Sequence, residues 1–218
     1  MKGLLIKEFY SVKTLAKQYL VVIVAMGVWC GFVKNPSFFP MIMSMYGAMT
    51  ILTSMSYDEM VHFDKFEMTL PLSRSQVVIS KYLLLGILVL IGGAVGMAGD
   101  FLIRTAVSGI KGDLWEDFIS SCAVVAFFLL AFSILLPITF KMGVEKARMV
   151  LVVIYFLLFG GLYAAASFLG GLDGEQVGVF IMTGGSPALF IAGTLVFAAA
   201  VMFVSCMISV GIMKKREW

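Results

Sequence analysis

Six long stretches without a single Asp, Glu, Lys or Arg dominate this chain of 218 residues: 18–33, 35–57, 82–99, 118–140, 149–172 and 176–213. About 20 apolar residues, rising ~1.5 Å each, cross a hydrocarbon layer of ~30 Å. A helix on the surface of a water-soluble domain needs a polar face, and these stretches carry no charge to make one. Charged residues form 13% of the chain, about half of the ~25% usual in globular domains. The fold class is therefore all-α, a polytopic membrane protein. Six transmembrane helices use nearly the whole length and leave no room for a soluble catalytic domain.

Charge placement orients these spans. All 16 Lys and Arg residues except Lys34, Arg104 and Lys111 fall on one side of the membrane if the chain starts on that side. Cytoplasmic segments carry the excess of Lys and Arg, so an N-in/C-in topology is expected, which requires an even number of spans. Parity then decides residues 176–213, too long for one span and too short for two with a turn. Gly178, Gly184, Gly185 and Pro187 crowd its first third, and Pro suits the opening turn of a helix. The expected spans are about 18–33, 38–56, 77–103, 118–140, 149–170 and 188–213, with 171–186 as an outer re-entrant loop.

Residues 2–17 read as an amphipathic interfacial helix, with Leu5, Phe9, Val12 and Ala16 on one side and Lys7, Ser11 and Thr14 on the other. They are basic, but no small-residue cleavage site follows, so they do not read as a removable signal. Ser73-Arg74-Ser75-Gln76, just after Pro71, has the capping-box pattern of a helix start. Asp100 and Arg104 are spaced for an i,i+4 pair near the outer end of the third span; they sit at headgroup level or line a transport route. The fourth span is expected to end near Pro137. Gly160 and Gly161, followed by Ala164 to Ala166, are small residues of the kind that lets helices pack closely. Cys30, Cys122 and Cys206 fall inside spans without CxxC spacing and read as buried apolar thiols.

The densest charge lies between the second and third spans: Asp58, Glu59, Asp64, Lys65, Glu67 and Arg74, together with His62, the one histidine. Met60, Phe63, Phe66 and Leu70 form an apolar stripe, and two acids at the start would complement the positive end of a helix dipole. A short amphipathic helix over 58–69 is the expectation. A helix lying on the anionic inner leaflet should be basic, whereas this one is acidic and aromatic. That character suits a protein partner.

Lys2-Gly3-Leu4-Leu5-Ile6-Lys7-Glu8-Phe9-Tyr10, Tyr57-Asp58-Glu59, Leu70-Pro71-Leu72-Ser73-Arg74 and Lys81-Tyr82 occur in this order. Together with the six-span layout and the basic tail, they make the chain resemble, over its entire length, the ABC-2 type transporter permeases. It is similar in particular to the small permeases of phenol-soluble modulin exporters. The resemblance implies a coupling helix at 58–69, carrying Tyr57, Asp58, Glu59, His62, Phe63, Lys65 and Phe66, that docks on a separate ATP-binding subunit. It makes 2–17 a connecting helix and implies two permeases, identical or related, with two ATPases in a bacterial cytoplasmic membrane. ATP and magnesium would sit on the ATPase, so no cofactor is expected on this chain. The partners are then that ATPase, a second permease and the lipid bilayer, with no nucleic acid.

An intramembrane enzyme would need a nucleophile with its base, or metal ligands, at membrane depth. His62 lies outside the spans, and Asp173 and Glu175 have no second acidic cluster beside them. No catalytic or metal site is therefore expected. A stand-alone carrier, which usually keeps charges near the midplane, and a membrane immunity or scaffold protein are the alternatives.

Overall fold

The computed structural model describes residues 2–61, 63, 73–107, 114–168 and 187–215. Within these, six helices follow one another: α1 (Lys2–Val33), α2 (Phe38–Met60), α3 (Arg74–Ala106), α4 (Leu114–Met142), α5 (Val144–Phe168) and α6 (Pro187–Lys215). Among the described residues, Phe38–Met60, Arg74–Ala106, Asp117–Met142 and Gly193–Lys214 are long and apolar enough to cross a membrane, and Lys17–Val33 is a shorter apolar segment. Contacts at both ends fix an alternating arrangement. The starts of α1, α3 and α5 meet the ends of α2, α4 and α6 at one end, which we term the basic end.

The core is built where α2, α3, α4 and α6 meet, around Ile51, Val78, Leu84, Leu85, Phe128, Phe132, Leu135 and Leu136. Of the most apolar window of α6, only 17% is buried, against 61% to 67% for α2, α3 and α4. The outward side of α6, with Val196, Phe203 and Ile208, is therefore exposed on the outside of the bundle, as are Val152, Val153 and Phe156 of α5.

Helices in lipid gain little from the hydrophobic effect, so close backbone approach and polar contacts decide their pairing. A Cβ on Gly92 would lie 2.5 Å from the carbonyl oxygen of Met43, and one on Gly96 2.5 Å from the Cα of Pro40. From α2, a Cβ on Gly47 would lie 2.6 Å from the carbonyl oxygen of Leu88. These glycines bring α2 and α3 together; among the described residues, a Cβ at Gly160 or Gly161 meets nothing within 4 Å.

Three sequence expectations of element boundaries change. First, α1 is one uninterrupted helix, not an interfacial piece followed by a span; nothing between residues 2 and 33 is a proline, and the Lys-rich start continues directly into the apolar part. Second, α2 runs on to Met60 and takes Asp58 and Glu59 into its last turn. Third, α4 continues through Pro137 to Met142. A proline inside a helix leaves the carbonyl four residues back without its donor, here that of Ser133. The Ser205 hydroxyl of α6 donates to this carbonyl, and Ser205 is in turn bonded to the Tyr82 hydroxyl of α3 at 2.7 Å. Side chains of neighbouring helices restore freed backbone groups in this way inside membranes.

Gly143 alone separates α4 from α5 and adopts φ +86°, a left-handed conformation that glycine takes without steric cost. The basic stretch from Lys141 to Arg148 is thus nearly all helical.

Removal of the Ser205 hydroxyl should cost about 1–3 kcal/mol, the penalty of a buried unsatisfied carbonyl. In a Pro137→Ala background, the backbone N–H regained at that position can donate to the Ser133 carbonyl itself, and the same Ser205→Ala change should cost clearly less. Denaturant unfolding in detergent of the two pairs measures the difference.

Candidate functional site: an ion-pair hub at the basic end

Asp58, in the last turn of α2, is buried at 7% exposure. Acids at a helix C-terminus oppose the helix dipole, so tertiary partners must hold this one. Lys7 of α1 reaches Oδ1 at 2.5 Å, and Lys81 of α3 reaches Oδ2 at 2.6 Å. One carboxylate therefore ties three helices. Lys81 is itself buried, at 4% exposure, and a buried ammonium is costly unless it is paired. The Lys7 ammonium also lies 4.0 Å from the centroid of the Phe63 ring, a cation–π distance. The segment that leaves α2 is thus gripped at its root from α1.

The neighbouring carboxylate works differently. Glu59 accepts from the backbone N–H of Val144 at 3.0 Å through Oε1 and 3.2 Å through Oε2. Val144 opens α5, so Glu59 occupies the positive end of that helix and satisfies one of its unpaired donors. Position 59 thereby fixes the one-residue junction between α4 and α5.

Ser73 caps α3, with the capping box formed and the Ser73 N–H donating to Gln76 Oε1 at 3.3 Å. Arg74 donates through Nη1 to the carbonyls of Met213, at 3.2 Å, and Lys214, at 2.9 Å. A cation there complements the negative end of α6. Tyr57 remains half exposed. His62, Lys65, Phe66 and Pro71 lie outside the described residues, as does the expected re-entrant loop 171–186.

At the opposite end, Arg104 Nε contacts both carboxylate oxygens of Asp100, at 3.3 and 3.2 Å. Its Nη2 pairs with Asp117 of α4, and Asp117 accepts from Ser37 at 3.0 Å. The i,i+4 pair is therefore part of a cluster joining α3, α4 and the α1–α2 hairpin.

Sequence reasoning did not pair Lys7 and Lys81 with Asp58, and it missed Asp117 and the Glu59–Val144 contact. Lys81 carried a usable signal, since a cation at the edge of a long uncharged stretch demands an acid nearby. Among the described residues, no three His, Cys, Asp or Glu side chains gather as metal ligands. The three cysteines are free thiols. The hub joins α1, α2 and α3 through one carboxylate.

Asp58→Asn should lower stability by about 3–5 kcal/mol, since it leaves two cations, one of them buried, without their counter-charge. Glu59→Ala should cost about 1–3 kcal/mol through the lost Val144 acceptor. Unfolding of the purified variants in detergent measures both; equal, negligible losses would contradict the described pairing.

Among curated proteins, none matches the chain. The family model described as ABC-2 family transporter protein, however, matches residues 3–214. That match runs from the first turn of α1 to the last turn of α6 and includes every charged contact described above, so this chain belongs to the ABC-2 family of transporter proteins.

Proposed function

We propose that this chain is the permease subunit of an ATP-driven exporter, with six spans, both termini in the cytoplasm and a separate ATPase that holds ATP and magnesium. The observation that carries this reading is the family match over residues 3–214. The hub supplies a mechanism. The segment 58–69 is the coupling element: Tyr57, His62, Phe63, Lys65 and Phe66 present its docking surface, and Asp58 and Glu59 anchor its root. When the ATPases close on ATP, force on this segment enters α2. It passes through Asp58 to α1 and α3, and through Glu59 to the α4–α5 junction. Helices tied at one end by ion pairs tilt together, and that concerted tilt exchanges access between the two faces of the membrane.

Two permeases and two ATPases complete the transporter in a bacterial cytoplasmic membrane, the two permeases being identical or related. The 19 Phe and 16 Met residues suit a route for apolar, variable cargo. Amphipathic peptides are the first substrate class to test, as the sequence resemblance to phenol-soluble modulin permeases would imply. The basic end faces the cytoplasm in this reading, in accord with the excess of Lys and Arg there.

Tagged chain extracted from its native membrane in mild detergent should bring down an ATP-binding-cassette subunit, identified by mass spectrometry. Tyr57→Ala combined with Phe63→Ala should lose it, while Asp100→Asn should retain it. Recovery of the chain with no ATPase would overturn the proposal in favour of a stand-alone carrier or a non-transporting immunity or scaffold protein.

A further inference from the structure

A groove of about 720 Å³ opens between α3 and α6 on the outer surface of the bundle, a volume within the ~300–1,000 Å³ range of small-molecule sites. Its lining is almost wholly apolar along its length, including Leu83, Met202, Phe203 and Met207, while Ser75 and Lys214 stand at one end. That end is the basic end, where the Arg74 guanidinium is held against the last carbonyls of α6. On α6 the lining runs from Ala199 to Lys214, and on α3 from Ser75 to Leu83. At ~1.5 Å per residue these are lengths of ~22 and ~12 Å. Half of a ~30 Å hydrocarbon core is ~15 Å, so the groove covers about one leaflet along α3 and runs past it along α6.

We propose that this groove binds one anionic phospholipid of the surrounding leaflet. The acyl chain lies between α3 and α6, and the phosphate meets Lys214, Ser75 and the Arg74 charge. The cationic mouth favours this occupant over a second copy of the chain, because it complements an anionic headgroup. A lipid bridging Arg74 and Lys214 would brace the start of α3 against the end of α6. This inference rests on membrane embedding alone and not on coupling to an ATPase.

The test uses the chain, with whatever subunits accompany it, reconstituted in nanodiscs of equal phosphatidylglycerol and phosphatidylcholine and released for native mass spectrometry. Phosphatidylglycerol should be retained over phosphatidylcholine by about fivefold or more for each contributing cation. Lys214→Gln should reduce that preference by about fivefold. Gly211→Phe should remove the retained lipid of either kind. A Cβ at Gly211 meets nothing within 4 Å, so this change fills the groove without disturbing the fold, which circular dichroism checks. No headgroup preference in the unaltered chain, or a preference kept in both variants, would overturn the proposal. Loss of chain–chain association in Gly211→Phe with phosphatidylglycerol still bound would assign the groove to a second copy instead.

Discussion

A single carboxylate ties α1, α2 and α3 together at the basic end of this molecule. Asp58 accepts from Lys7 and Lys81, and each partner comes from a different helix. A buried ion pair is a poor source of net stability, because desolvation offsets much of the attraction. It is a strong source of specificity, because losing one partner leaves an uncompensated charge. In a bundle whose surfaces are nearly uniformly apolar, that specificity sets the register of α1 against α2 and α3.

The remaining register is set by shape and by neutral polar contacts. Gly47, Gly92 and Gly96 let α2 and α3 approach so closely that a methyl group would collide with backbone. On the other side of the core, Tyr82, Ser205, Ser209 and the freed carbonyl of Ser133 form one hydrogen-bonded group across α3, α4 and α6. Pro137 breaks the backbone ladder of α4 and thereby creates the acceptor that Ser205 fills. The proline and the serine are a matched pair, legible only once the helices are placed side by side.

Much of the architecture is legible in charge alone. The uncharged stretches locate the helices, and the Ser73–Gln76 pattern locates the start of α3, because both signals are local. The Asp100–Arg104 contact follows from i,i+4 spacing for the same reason, whereas Asp117, its partner on α4, cannot be read that way. The end of α2 is misread because two acids in sequence look like a helix start by the dipole rule. Their true partners, Lys7, Lys81 and the Val144 N–H, lie far off in the chain. Pro137 is misread as a terminus for a similar reason, its compensation coming from α6. Local rules fail here wherever tertiary contacts supply the missing charge or donor, and those are the places where helices are joined to one another.

The most direct measurement of the hub is a charge exchange. Asp58→Lys alone should strongly destabilise the purified chain, and adding Lys81→Asp should recover part of the loss in unfolding experiments, because the exchanged pair restores the contact between α2 and α3 while Lys7 stays without its acid. If the double variant were no more stable than Asp58→Lys, the two side chains would not be partners. The tie between α2 and α3, and the route proposed for force through it, would then be wrong.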